Sequence, residues 1–201
     1  MAIKPILFNT EMVREIMDGR KTCTRRLVRF LPGENPQWTG YIRDGLMLYN
    51  GRNEPCIIKA PYQPGDTLYV RETWCGLPVN EAGHMRGHTI YYYKADGELR
   101  PKGWRGTWHP SIHMPKEAAR IWLKVTCVRV KQLQDITSEQ ISREGVEVEY
   151  PHVLNGEEKR YAFSTLWNST IKKSDLDRYG WDANPWVWVI EFERCEKPEG
   201  V

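Results

Sequence analysis

Apolar and polar positions along the chain divide it into short strands and a few helices. The apolar run Ile6–Phe8 predicts a first strand, and apolar residues then recur at helical spacing between positions 12 and 17. Thr10 is the predicted N-cap of this helix, because threonine hydroxyls accept hydrogen bonds from the first helical amides. Gly19 predicts the end of the helix, since glycine is common just past a helix C-terminus.

Alternating apolar and β-branched residues predict several strands further along the chain. The most regular are Leu123–Val130 and Trp186–Glu193, and the run Thr67–Trp74 follows a predicted type II turn with glycine at position 65. Shorter candidates are Gly45–Tyr49, Cys56–Lys59 and Thr89–Lys94.

Two further helices complete the predicted elements. Thr137 and Gln140 have the spacing of a capping box, and the helix that they begin ends at Glu144-Gly145. Another helix is predicted over Tyr161–Ser169. Because strands dominate without a strand–helix–strand repeat, the pattern predicts a mainly β, α+β fold. The expected architecture is a small β-barrel of about five to six strands with two to three short helices and inserted hairpins.

Length and composition agree with one globular domain. The chain has 201 residues, of which 40% are hydrophobic and 27% are charged, and this length suits a single domain with elaborations. No apolar run approaches the roughly 20 residues that a transmembrane helix needs. The first residues also lack the apolar core of a signal peptide. We therefore expect a cytoplasmic protein without a membrane partner.

Cysteine, histidine and motif content exclude several common kinds of site. The five cysteines are widely spaced and contain no CxxC pair, so they are predicted to be reduced thiols that pack in the core. His84 and His88 would need a helix to share a face, and the neighbouring Gly83 and Gly87 disfavour one, so no metal site is predicted. No GxxxxGKS/T loop or GxGxxG turn occurs, and no cofactor is expected.

The charge is distributed unevenly, although the formal net charge is only +3. Residues 1–130 hold 20 Lys+Arg against 12 Asp+Glu, whereas residues 131–201 hold 9 against 14. A basic first part in a chain with nine tryptophans suits a phosphate-bearing or nucleobase ligand. A solvated surface on which the charges happen to segregate would give the same numbers.

The densest basic stretch directly follows the first predicted helix. Lys21, Arg25 and Arg26 lie with Thr24 in an alternating segment that predicts an extended chain entering a strand. Residues two apart share a face of a strand, so Lys21 and Arg25 are expected on one side and Thr24 and Arg26 on the other. A kink after Gly19 would bring Lys21 and Thr24 together. The alternative is a basic strand edge that faces solvent.

The spacing Gly19-x-Lys21-x-x-Thr24-x-Arg26 resembles the GxKxxTxR signature of the ASCH domain family, a branch of the PUA-like β-barrels. The order of the predicted elements over residues 1–30, 62–74, 118–145 and 186–193 is similar to that family as well. Residues 31–61, 75–117 and 146–185 then resemble the insertions of longer bacteriophage and prophage members. The resemblance implies a single ASCH domain over residues 1–201.

The resemblance also implies an activity. Small ASCH proteins include amidohydrolases that cleave N4-acetylcytidine to cytidine and acetate, and their catalytic trio falls on Lys21, Thr24 and Glu144 of this sequence. A threonine hydroxyl needs a base to become a nucleophile, and a lysine among other cations can be that base. Glu144 would orient the lysine or protonate the leaving amine.

Six residues are predicted to bind the nucleoside or nucleic acid. Among them, Trp74 and Trp108 could stack on a pyrimidine, although each tryptophan also suits a core position. Glu72 is a second acid that could serve instead of Glu144, or could form an ion pair with a nearby arginine, Arg71 or Arg26. The six are Arg26, Arg71, Glu72, Trp74, Trp108 and His113.

Two other functions remain open at the level of sequence. One is a non-catalytic module that binds RNA or a modified nucleic acid, which is a common role of PUA-like barrels. The other is a ribonuclease of the kind proposed for ASCH proteins. In each case the expected ligand is a nucleoside or RNA, and the chain is expected to act as a monomer or homodimer.

Overall fold

The computed structural model describes residues 1–29, 37–42, 45–49, 55–79, 88–97, 106–148 and 157–200. The chain forms two compact units, and each is described by itself. Unit 1 comprises Met1–Lys21, Asp66–Lys124 and Glu193–Val201, and unit 2 comprises Thr22–Gly65 and Val125–Phe192. No helix in these ranges is both long enough and apolar enough to cross a bilayer.

Strands outnumber helices in the part of the chain that the structure describes. The strands are β1 (Ile3–Leu7), β2 (Cys23–Leu27), β3 (Gln37–Ile42), β4 (Gly45–Tyr49), β5 (Pro55–Lys59), β6 (Thr67–Arg71), β7 (Trp74–Val79), β8 (His88–Tyr93), β9 (Trp122–Gln132) and β10 (Trp186–Cys195). The α-helices are α1 (Thr10–Met17), α2 (Ser138–Arg143), α3 (Glu158–Ser169) and α4 (Leu176–Tyr179). Short 3₁₀ turns lie at Lys94–Asp96, Ser111–His113, Lys116–Ala118, Leu133–Asp135 and Lys173–Asp175.

The strands form three sheets. A five-stranded sheet has the order β1-β6-β9-β10-β2, while β3-β4-β5 and β7-β8 are antiparallel sheets of three and two strands. In the larger sheet β1 is parallel to β6, β6 is antiparallel to β9, and β10 is antiparallel to β2. The predicted mixed, mainly β fold is therefore confirmed. Its closure into a barrel remains a prediction, because β1 and β2 stand at the two ends of this order.

Strand β1 is held in unit 1 by a buried carboxylate. The Oδ1 atom of Asp66 accepts a hydrogen bond from the Ala2 amide at 3.0 Å, and its Oδ2 atom lies 2.7 Å from Lys4 Nζ. Asp66 stands directly before β6, so these contacts set Ile3 opposite Thr67 in the parallel pairing. A residue more than 60 positions away thus fixes the register of the first strand.

The core of unit 1 is built on helix α1 and strand β6. Val13 and Ile16, nearly one turn apart on α1, are buried. Strand β6 is buried on both faces along 68–70, and Tyr69 pairs with Trp122 of β9. These two rings belong to a cluster with Met114, Ala118 and Ala119. A strand enclosed on both sides explains the unbroken apolar run that the sequence shows there.

The core of unit 2 gathers helices α2 and α3 against strand β10. Ile141 of α2 packs with Phe163 and Trp167 of α3 and with Val187 and Val189 of β10. Residues 187–190 of β10 are all buried. The aromatic side chains of β10 lie on one face of the strand and the smaller valine side chains on the other. Both faces are therefore buried there, and neither faces solvent.

Two local predictions were wrong in detail. The N-cap of α1 is Asn9, whose Oδ1 atom accepts from the Met12 amide at 2.8 Å, so Thr10 is already the first helical residue. The single strand predicted over Thr67–Trp74 is divided after Arg71. Its backbone changes partners there, because the Glu72 amide contacts Met114 Sδ at 3.2 Å and Trp74 pairs with His109. Strand β3, helix α4 and the part of strand β7 beyond Trp74 were not predicted.

The cap assignment can be tested by two alanine substitutions. We expect Asn9→Ala to lower the free energy of unfolding by about 1 kcal/mol, because it removes the acceptor for the Met12 amide. Thr10→Ala, one position later, should cost less, since that side chain makes no capping bond. Urea denaturation monitored by circular dichroism measures both values. A larger loss for Thr10→Ala would contradict the assignment.

Candidate functional site

The basic motif begins where helix α1 ends. Gly19 has φ +76°, the left-handed conformation that glycine adopts without strain, and its amide donates to the Ile16 carbonyl. Lys21 is the last residue of unit 1, and its amide donates to the Glu15 carbonyl at 2.9 Å. Its side chain is 2% exposed, and the ammonium lies 5.7 Å from the centre of the Phe8 ring. The side chain of the predicted base is therefore enclosed and does not face solvent.

Strand β2 then carries the threonine and both arginines of the motif in unit 2. Thr24 is 1% exposed, and its Oγ1 atom accepts a hydrogen bond from Arg26 Nη1 at 3.0 Å. This contact agrees with the predicted sharing of one strand face by these two residues. Burial lowers the pKa of Arg26, and the charges of Tyr62 and Glu144 partly offset that effect.

Arg25 is the buried partner of Glu144. Its Nη1 atom donates to Glu144 Oε1 at 2.8 Å, and its Nη2 atom donates to Gln140 Oε1 at 3.0 Å. The two charged side chains are only 3% and 5% exposed. We call the group formed by Thr24, Arg25, Arg26, Gln140 and Glu144 the β2–α2 cluster. It brings two of the three predicted catalytic residues into one unit.

Helix α2 has its position set at both ends. Thr137 and Gln140 form the predicted capping box, and Glu144 is the C-cap, followed by Gly145 with φ +82°. The end of the helix is fastened to the chain just before β2, because the Thr22 amide donates to the Arg143 carbonyl at 2.9 Å. Glu144, the C-cap of α2, therefore follows directly on a backbone hydrogen bond to the residue before β2.

Tyr62 is a neighbour of the cluster that the sequence did not single out for function. The residue is half-buried, and burial raises the pKa of its phenol while the charge of Arg26 lowers it. It lies just before the Pro64-Gly65 turn, which the sequence shows. The turn predicts a chain reversal and carries no sign of a functional role for Tyr62. Together the cluster and Tyr62 offer a buried hydroxyl, guanidinium donors and a phenol, which suit a polar planar ligand.

Glu72, the second candidate acid, belongs to a separate network in unit 1. Its carboxylate pairs with Arg120 through two hydrogen bonds of 2.9 and 3.0 Å, and not with either of the predicted arginines. Arg120 also contacts Asp96 at 2.7 Å and lies 3.9 Å from the centre of the Tyr93 ring. Burial raises the pKa of Glu72 above its ordinary value, against the effect of Arg120. Burial also raises the pKa of Tyr93 to about 12.

The other predicted binding residues of unit 1 differ in their surroundings. Trp74 lies between His109 and Tyr91, with ring centres 5.1 and 5.8 Å away. Arg71 donates to the Ile112 carbonyl at 3.1 Å, and His113 is exposed in the following 3₁₀ turn. Trp108, also in unit 1, is half-buried. The alternative core role thus fits Trp74 well.

Candidate metal ligands do not cluster within the described ranges. No group of three or more His, Cys, Asp or Glu side chains is close enough there to hold an ion. None of the four cysteines described, at positions 23, 75, 127 and 195, forms a disulfide. His84 and Cys56 lie among the residues whose side chains are not described.

Comparisons with known proteins gave two structural similarities. No family model matches the chain, and no curated protein matches it. One is a high-resolution crystal structure of an ASCH domain from Lactobacillus crispatus, which is 12% identical in sequence. The match spans 96% of this chain and 79% of that chain, with a TM-score of 0.41. A crystal structure of hypothetical protein PH0355 is 16% identical, with coverage of 97% and 100% and a TM-score of 0.36. The function proposed below rests on the site residues and not on these similarities.

The Arg25–Glu144 pair can be tested by a double-mutant cycle. Arg25→Met or Glu144→Met alone leaves a buried charge without its partner, and each should cost about 3–5 kcal/mol of unfolding free energy. The double variant should lose clearly less than the sum, because both charges are gone. Arg29→Met, at an exposed position of the same segment, is the control and should change stability by less than about 0.5 kcal/mol. Additive losses would disprove the pairing.

The buried carboxyl of Glu72 predicts a pH dependence of stability. Its pKa is raised from the ordinary value of 4.5, so the folded protein binds this proton more tightly than the unfolded chain does. The stabilising contribution is therefore fully present below pH 4.5 and is lost as the pH rises through the raised pKa. We expect wild type to lose stability relative to Glu72→Gln over that interval in urea titrations. If wild type instead gained unfolding free energy relative to Glu72→Gln as the pH rises, the raised pKa of Glu72 would be refuted.

Proposed function

We propose that the protein binds a nucleobase and hydrolyses the amide bond of an N4-acylated cytidine, with Thr24 as the nucleophile. The observation that carries this proposal is the buried Thr24 hydroxyl beside the Arg26 guanidinium. Acyl transfer needs an attacking oxygen and a hydrogen-bond donor for the carbonyl oxygen, and this pair supplies one of each. The motif that carries both residues is also the one that resembles the ASCH signature.

The proposed reaction proceeds through a threonine ester. Lys21 takes the hydroxyl proton while Thr24 Oγ1 attacks the acyl carbon, and Arg26 donates a hydrogen bond to the carbonyl oxygen as negative charge develops there. The C–N bond then breaks, and the amino nitrogen of cytidine receives the proton that Lys21 took from Thr24, while the Glu144 carboxylate orients the lysine. Water cleaves the ester, which releases acetate and restores the hydroxyl.

Enclosure of the residues supports assigning chemistry to them. Lys21, Thr24 and Glu144 are 2%, 1% and 6% exposed. Polar and charged groups are costly to bury, and Lys21, Thr24 and Arg25 are all buried within five residues of the chain, a concentration more typical of a functional site than of a packing core. Lys21, three residues before Thr24 in the sequence, is the proposed base.

Binding of RNA is the second candidate, favoured by the charge of the first 130 residues, which hold 20 Lys+Arg against 12 Asp+Glu. A basic surface would hold phosphates without any turnover. Such binding weakens steeply with salt, by about 0.7 log units per log unit of salt for each phosphate contact to a single strand. A ribonuclease would in addition shorten labelled RNA in a manner that depends on Lys21.

Acetate release from N4-acetylcytidine, followed by proton NMR, tests the proposed activity. Thr24→Val keeps the shape of the side chain but removes the hydroxyl, and it should lower the rate by about a thousandfold or more. Thr24→Ser should retain measurable turnover, because it keeps the nucleophile. Thr126→Ala, which removes an exposed threonine from another strand, is the matched control and should leave the rate unchanged.

Two results would reject the amidohydrolase. One is a folded wild-type protein that releases no acetate, and the other is a Thr24→Val variant as active as wild type. In the first case, salt-dependent binding of single-stranded RNA measured by fluorescence anisotropy would favour the binding module instead. Cleavage of that RNA, lost in Lys21→Ala, would favour the ribonuclease.

A further inference from the structure

Resting on the proposed function, we infer that Arg25 is a positioning residue that fixes the Glu144 carboxylate for the reaction. Arg25 occupies one of the unspecified positions of the GxKxxTxR spacing, so the motif gives it no role. The structure gives it two contacts, one to Gln140 and one to Glu144, and both are made by the same guanidinium.

The geometry of helix α2 explains why a single arginine can hold both side chains. Gln140 and Glu144 are four residues apart and therefore lie on one face of the helix, one turn from each other. The terminal nitrogens of Arg25 point to the two side chains separately, Nη1 to Glu144 and Nη2 to Gln140. Arginine suits this arrangement because its planar fork presents donors at fixed angles, which a lysine ammonium does not.

The guanidinium has little freedom to move away from this position. Its side chain is 3% exposed, and it lies 5.9 Å from the centre of the Phe163 ring on α3. Its buried Nε atom has no hydrogen-bond partner among the described residues, so the hydrogen bonds that the structure shows for this side chain go to α2. Arg25 therefore offers the Glu144 carboxylate a donor that is itself held in place.

Gln140 couples the start of helix α2 to this arrangement. Its Oε1 atom accepts from the Thr137 amide at 3.3 Å and from Arg25 Nη2 at 3.0 Å. One amide oxygen thus completes the capping box and anchors the arginine. A glutamate at position 140 would preserve the box, since glutamate is a usual residue there, but it would add a negative charge that competes with Glu144 for the guanidinium.

The test replaces this amide by a carboxylate. We expect Gln140→Glu to remain folded with lowered thermal stability, because a displaced Glu144 weakens a buried ion pair, and to lower kcat at least about tenfold with KM changed less than about twofold, because the placement of Glu144 is disturbed. Gln132→Glu makes the same chemical change at another half-buried glutamine of unit 2 and should behave as wild type. Arg25→Met should lower kcat in the same way. Arg25→Lys should have a kcat between those of Arg25→Met and wild type.

A crystal structure of Gln140→Glu separates this inference from the proposed function. The expected result is a Glu144 carboxylate displaced from Arg25 Nη1, whether or not the protein turns over substrate. Wild-type kcat in Gln140→Glu, or an unmoved Glu144 in its structure, would overturn the positioning role while leaving the amidohydrolase intact. A displaced Glu144 in a protein without acetate release would instead reject the activity and retain the arginine–glutamate coupling.

Discussion

Burial of charge is the constraint on which the site depends. A carboxylate or guanidinium removed from water costs several kcal/mol unless an opposite charge meets it with good geometry. In unit 2, Arg25 meets Glu144, and in unit 1, Glu72 meets Arg120. Once Arg25 is paired with Glu144, strand β2 can be enclosed and still carry the Thr24 hydroxyl. The buried pair is thus what permits a polar site in a packed part of the chain.

The sequence predicted the elements whose causes are local. The capping box of Thr137 and Gln140, the left-handed glycines at positions 19 and 145, and strands β9 and β10 all lie where the pattern placed them. Each depends on side chains within a few residues of one another. Local chemistry misled at the start of α1, where the neighbours Asn9 and Thr10 could both cap the helix.

The pairings within the site are not local, and for that reason the sequence did not reveal them. Arg25 and Glu144 are separated by 119 residues, and nothing in the pattern distinguishes Arg25 from its neighbour Arg26 as the partner. Glu72 was matched to arginines on grounds of the motif and chain proximity, yet its partner is Arg120, 48 residues away. Such contacts follow from the tertiary fold, which brings segments distant in the sequence together.

The pairing of β1 with β6 has a consequence for biosynthesis. Because β1 is completed by a strand that begins more than 60 residues later, a ribosome adding about 5–20 residues per second leaves it without that partner for roughly 3–12 s. During this interval its apolar side chains, among them Ile6 of the finished core, stay uncovered. The nascent chain is therefore a candidate client of chaperones that bind short apolar segments at the ribosome exit.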